Sequence, residues 1–176
     1  MSCLVYLKQN LLMSFTVAPW RAPLKAWLPF PIFAVLSLVL GLSSGIYQPG
    51  LLESDLFWIL PLSLFVFPSL LEESFFRGVL IPKNTYQRGS KKIIQAMLIS
   101  TAIFVAWHPF NAILFNNTAI SFFLDPVFLL MVAALGLSCS YAYIVSGSIW
   151  VPTIMHWLTV LVWVFFLGGR NLILEA

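Results

Sequence analysis

Two adjacent carboxylates and two histidines stand in this chain where water should not be. Glu72 and Glu73 lie in Leu70-Leu-Glu-Glu-Ser-Phe-Phe-Arg-Gly-Val-Leu80, His108 in Phe104-Val-Ala-Trp-His-Pro-Phe-Asn111, and His156 in Val151-Pro-Thr-Ile-Met-His-Trp-Leu-Thr-Val160. All three segments are strongly apolar, and these two histidines are the only ones present. A charged side chain at membrane depth costs roughly 2.5–3.5 kcal/mol on insertion scales. Glu73 and Arg77 are four residues apart, so they share a helix face and can pair. Glu72 points about 100° away and has no partner on its own helix. Four ionisable groups on three helices converge only in a protein interior or a wet cavity. Converged, they offer proton-transfer chemistry: a carboxylate to take a proton from water, and imidazoles to donate protons or hold charge. The blander alternative has both acids snorkelling to the interface, Arg77 as an ordinary flanking base, and each histidine as a packing residue.

The elements that must position these groups follow from composition. The chain has 176 residues, 61% hydrophobic and 9% charged, with sixteen Phe and seven Trp, and a mean hydropathy of +0.97. Soluble domains run to roughly 45–50% apolar and about 25% charged. A soluble globule and a disordered chain are both excluded. The fold class expected is all-α: a polytopic helical membrane bundle of about five transmembrane helices, at roughly 20 residues each, plus an N-terminal interfacial helix. The predicted spans are residues 27–47, 56–80, 93–115, 126–146 and 148–168. Their runs are continuously apolar and do not alternate as barrel strands would. Residues 1–26 read as a cytoplasmic or interfacial segment with Leu4, Leu11, Leu12 and Phe15 on its apolar side. Residues 27–176 read as one transmembrane domain.

Charge orients the spans. Lys8, Arg21 and Lys25 precede the first span, and Arg77, Lys83, Arg88, Lys91 and Lys92 gather between the second and third. With the uncharged turn near Gly147, these regions fall on one side. The other side has Glu53, Asp55, Asp125, Glu175 and a single base, Arg170. The protein is therefore expected to be multi-pass, with its N-terminus cytoplasmic and its C-terminus outside. The formal charge of +3 does not signal nucleic acid, because the basic residues form no stripe on a polar face; the expected surroundings are the lipid bilayer. Pro61, Pro68, Pro109 and Pro152 each free a helix carbonyl and suit a broken, cavity-lining bundle. Gly136, Ser138, Ser140 and Gly147 allow close helix approach. Trp20, Trp27, Trp58 and Trp150 read as interfacial anchors, Trp107 and Trp157 as packing or cavity lining, and Cys3 and Cys139 as small apolar fillers.

The ordered trio Glu72-Glu73-x-x-x-Arg77-Gly78, Phe104-x-x-x-His108 and His156, each in its own span, resembles the CPBP family of CAAX proteases and bacteriocin-processing membrane proteins. Gly147-Ser148-Ile-Trp-Val-Pro152 is similar to that family's approach to its last motif. The resemblance runs from about Leu56 to Phe166. It implies an intramembrane endopeptidase acting on a membrane-embedded or membrane-proximal peptide or protein. In that account Glu72 activates a water with help from His108. Glu73 and Arg77 fix the geometry as an ion pair, and His156 supports the oxyanion together with an Asn four residues later. Here that position is Val160, which has no hydrogen to donate. Thr159 or Asn111 is then the available substitute. No cofactor is expected. Zinc held by Glu72, His108 and His156 is the alternative, although no His-Glu-x-x-His helix is present. Competing functions are a non-catalytic scaffold or immunity-type relative and, less favoured, a proton-coupled carrier, for which five spans without an inverted repeat leave little room.

Overall fold

Asp125 starts the helix around which the bundle is built. Its Oδ1 accepts from the backbone N–H groups of Val127 (2.7 Å) and Phe128 (3.1 Å), an N-cap ahead of Pro126 at the first helical position. The helix runs Pro126–Ser146 and ends at Gly147, whose φ of +66° closes it through a bond to the Tyr143 carbonyl. The structure, a computed structural model, describes residues 3–115 and 117–169. In chain order its helices are α1 (Cys3–Phe15), α2 (Pro29–Ser44), α3 (Leu60–Leu64), α4 (Leu71–Glu73), α5 (Ser90–Phe115), α6 (Ile120–Phe123), α7 (Pro126–Ser146) and α8 (Trp150–Phe166). Among the described residues there is no strand, only an isolated backbone pairing of Gly50 with Leu167. Three helical stretches are long and apolar enough to cross a membrane: Leu24–Ser44, Ser90–Phe115 and Pro126–Ser146. The last is 56% buried inside the protein against 22% for the other two, which makes α7 the central helix. It packs against α2, α5 and α8. Large exposed apolar side chains such as Ile32, Val39, Ile94 and Ile113 cover the outside of α2 and α5, as lipid contact requires.

Two of the five expected spans depart from a single long helix. The fifth is the shorter apolar helix α8, whose 17 residues reach roughly 26 Å at 1.5 Å per residue. The second is broken. Between Leu60 and Val79 the chain alternates α3, a wide-turn segment Phe65–Leu70, the single turn α4, and a second wide-turn segment Ser74–Val79. Phe67 leaves helical geometry (φ −120°, ψ 118°) immediately before Pro68. A residue before proline is pushed out of the helical region, and proline itself has no N–H for the ladder. Wide, π-type turns of this kind are frequent at functional sites. The other prolines behave differently. Pro61 and Pro152 sit in the first turns of α3 and α8, where the N–H would have no intrahelical partner in any case. Pro109 lies within α5.

Residues at the N-terminus do more than rest on a lipid surface. Asn10 and Ser14 are the buried face of α1. The Asn10 amide donates to the carbonyls of Gly78 (2.7 Å) and Ile81 (3.1 Å) and accepts from the Lys83 N–H (2.7 Å). The Ser14 carbonyl accepts from the Ile149 N–H, the Val17 carbonyl from the Ser148 hydroxyl, and the Phe15 carbonyl from the Trp150 indole. Lys83 Nζ donates to the Met13 carbonyl. Leu12, expected on the apolar side of an interfacial helix, is 55% exposed from the protein. The N-terminal segment, the chain after Val79 and the Gly147 turn therefore meet at one end of the bundle, as the charge distribution anticipated. Trp150 is a strut there rather than a free anchor, whereas Trp20 and Trp58 are largely exposed. Cys139 is fully buried. The side chains of Cys3 and Leu4, and the expectations placed on Arg170, Glu175 and the C-terminus, lie outside the described residues.

Candidate active site

The single turn α4 turns its two acids into different surroundings. Glu73 is completely buried. Its Oε1 accepts from Arg77 Nη1 at 3.1 Å and faces His156 Nδ1 at 3.0 Å. Arg77 is also completely buried. Its Nη2 donates to the Gly136 carbonyl at 3.0 Å, and its guanidinium lies 4.5 Å from the centre of the Phe104 ring. Glycine at 136 is what lets α7 come this close: an added Cβ would fall 2.9 Å from Thr101 Cγ2 and 3.2 Å from Phe104 Cδ1. The picture of Arg77 as a flanking surface base, and of Glu73 snorkelling, is overturned by this geometry.

Glu72 is only half-buried. Its Oε1 accepts from the Trp107 indole N–H at 3.2 Å. Among the described residues its buried Oε2 has no partner, and neither has Glu73 Oε2. His108 Nδ1 lies 2.9 Å from the Phe104 carbonyl. A carbonyl only accepts, so the Nδ1 proton is spent there and Nε2 keeps its lone pair. Glu72, His108, His156, Asn111 and Val160 line one cavity of about 260 Å³. Convergence of the ionisable groups from three helices is thus observed, with one redistribution. His156 was expected beside Glu72, and its hydrogen bond goes to Glu73 instead. Phe104 is the packing centre, its ring 4.8 Å from that of His108 and 5.8 Å from that of His156.

The remaining sequence candidates separate clearly. Asn111 shares the cavity with Glu72. Thr159 lines a smaller neighbouring cavity of about 80 Å³ with both histidines, and its hydroxyl donates to the Met155 carbonyl of its own helix at 2.9 Å. Trp157 donates to the Pro61 carbonyl at 2.8 Å and so fastens α8 to the broken stretch. Sequence reasoning missed Trp107 as the partner of Glu72 and the Gly136 carbonyl as the partner of Arg77. The available signal for the first was an indole one residue before His108 and four before Asn111 on the same helix. Among the described residues, no three His, Cys, Asp or Glu side chains form a group that would hold a metal ion. The set Glu72, His108 and His156 shares a cavity without being such a group, so no step is routed through zinc.

The family description "Type II CAAX prenyl endopeptidase Rce1-like" matches residues 54–162, more than half of the chain. No curated protein and no solved structure matches. The matched stretch contains α4, α5 and α7 entire, together with His156 on α8. With its apolar helices and its matched family, the chain is an integral membrane protein that belongs to the Rce1-like, type II CAAX prenyl endopeptidase family.

Proposed function

We propose that this protein is an intramembrane endopeptidase that hydrolyses a peptide bond near the cytoplasmic membrane face, using water activated by Glu72. The observation that carries the reading is Glu72 Oε2, buried and without a protein partner, in a residue that shares a cavity with both histidines. A buried carboxylate oxygen with no partner, in a cavity that two imidazoles and an amide also line, is where a water would bind.

The reaction then runs on this chain's own groups. Water held between Glu72 Oε2 and His108 Nε2 loses a proton to Glu72 as its oxygen bonds to the scissile carbonyl carbon. Negative charge develops on the carbonyl oxygen. The Asn111 amide donates to it, and His156, held through Nδ1 by Glu73, stands beside it. The proton on Glu72 passes to the nitrogen of the breaking C–N bond, which leaves as an amine. Glu73 and Arg77 take no proton and fix the position of His156. Substrate is a membrane-embedded or membrane-proximal peptide, with a prenylated CAAX peptide the first to test on the strength of the family. On this reading the N-terminus is cytoplasmic and the C-terminus outside. Setting the buried Arg77 aside, seven of the nine basic residues belong to the end that carries α1 and the chain after Val79.

The test is cleavage of a fluorogenic prenylated peptide in proteoliposomes by wild type and Glu72→Gln. Cleavage lost in the variant with an unchanged detergent melt supports the proposal. An equally active variant overturns it, and a wild type that cleaves nothing favours the non-catalytic reading.

A further inference from the structure

We propose that Trp107 is a positioning residue for the Glu72 carboxylate, an inference that rests on the peptidase reading above. Trp107 with Pro68, Glu72 and Asn111 lines both the 260 Å³ cavity and a second recess of about 430 Å³. That recess is walled by Phe67, Leu71 and Phe75, which are 65%, 45% and 51% exposed on the outer, apolar surface. Glu72 therefore stands at the junction between the cavity that holds both histidines and a mouth on the outer, apolar surface. On the hydrocarbon side no water is at hand to solvate a carboxylate oxygen, and an unpaired one is costly there.

The indole fits that task. It is a donor only, so its N–H must point at an acceptor, and the acceptor it meets is Glu72 Oε1 at 3.2 Å. Tying Oε1 stops the carboxylate from rotating about its last bond and leaves Oε2 as the oxygen available to water. The rest of the indole is apolar and closes the wall between the two spaces. Because Trp107 and His108 are consecutive on α5, a single turn supplies both the group that orients Glu72 and the imidazole that faces the same water.

Two readouts test this. In the peptide assay, Trp107→Phe keeps the ring and removes the donor. It is expected to lower kcat about tenfold, the size of one lost hydrogen bond to a charged group, with KM unchanged and a modestly lower detergent melt because Glu72 Oε1 loses its partner. Trp107→His, which retains a ring N–H, is expected to recover part of that loss. In indole-15N-labelled protein, the resonance missing from Trp107→Phe identifies Trp107, and it is expected to shift in Glu72→Ala. An active wild type with an undiminished Trp107→Phe, or an indole resonance that Glu72→Ala leaves in place, overturns the inference while the peptidase reading stands. A wild type that cleaves nothing fails that reading instead, and the positioning role with it.

Discussion

Glu73 and His156, 83 residues apart in the chain, meet at 3.0 Å in the protein interior. The same carboxylate oxygen also takes Arg77 Nη1. One acid thus joins the broken second stretch to α8, and through Arg77 and the Gly136 carbonyl to α7 as well. Both acids keep a second oxygen without a partner among the described residues, but it is Glu72 that lines the cavity shared with the two histidines.

The first prediction concerns that junction. Removing one partner of a buried pair strands the other and costs roughly 3–5 kcal/mol. Glu73→Gln and Arg77→Met should each lower the detergent melting temperature and the folded yield, and the double variant should recover part of the loss. Strictly additive losses would show that the two side chains do not interact.

The two histidines should part company. Among the described residues His108 bonds only to a carbonyl of its own helix, so His108→Ala should leave the melt close to wild type while cleavage falls about 10²-fold or more, the range of general acid–base catalysis. His156→Ala removes a partner of buried Glu73 and should lower stability by about 1–3 kcal/mol as well as activity. Melting and cleavage measured side by side decide it, and equal destabilisation by both variants counts against the assignment.

Val160 lines the cavity next to His156, so an amide placed there reaches the reacting space. Val160→Asn should raise cleavage, bounded by the roughly 10²–10³-fold worth of an oxyanion donor. Asn111→Leu should lower kcat in the wild type and matter less in the Val160→Asn background. Independent, additive effects of the two changes would mean that the amides do not serve the same oxygen.

Asn10 satisfies two carbonyls and one N–H at the end of the stretch that carries the acids. Asn10→Leu leaves those backbone groups buried without partners, at about 1–3 kcal/mol each. The expected result is a clear drop in melting temperature, and hydrogen exchange should rise first around Gly78–Lys83. An unchanged melt would mean that α1 is not docked this way in a bilayer.

Orientation is open to labelling. With the native cysteines replaced, single cysteines at Gln87 and Ser121, both exposed, should react with impermeant reagent from opposite sides, Gln87 from the cytoplasm. Reaction of both from one side would refute the alternating arrangement of spans.

The sequence by itself determined that the chain lives in a membrane, that it is helical, and which four ionisable groups had to be brought together. Each of these follows from the cost of placing polar groups in hydrocarbon, which a run of residues states without any fold. The Glu73–Arg77 pair was legible for the same reason that i, i+4 side chains meet on any helix. The partners of His156, Glu72 and Arg77 were not legible, because they join residues 83, 35 and 59 positions apart. Distances of that kind are set by how helices pack, here by Gly136 admitting α5 against α7 and by Pro68 breaking the second stretch. The docking of α1 was hidden likewise, since its buried face is the polar pair Asn10 and Ser14 rather than an apolar stripe. Tertiary structure alone decided which of two adjacent, chemically identical carboxylates is buried against Arg77 and His156 and which lines the cavity.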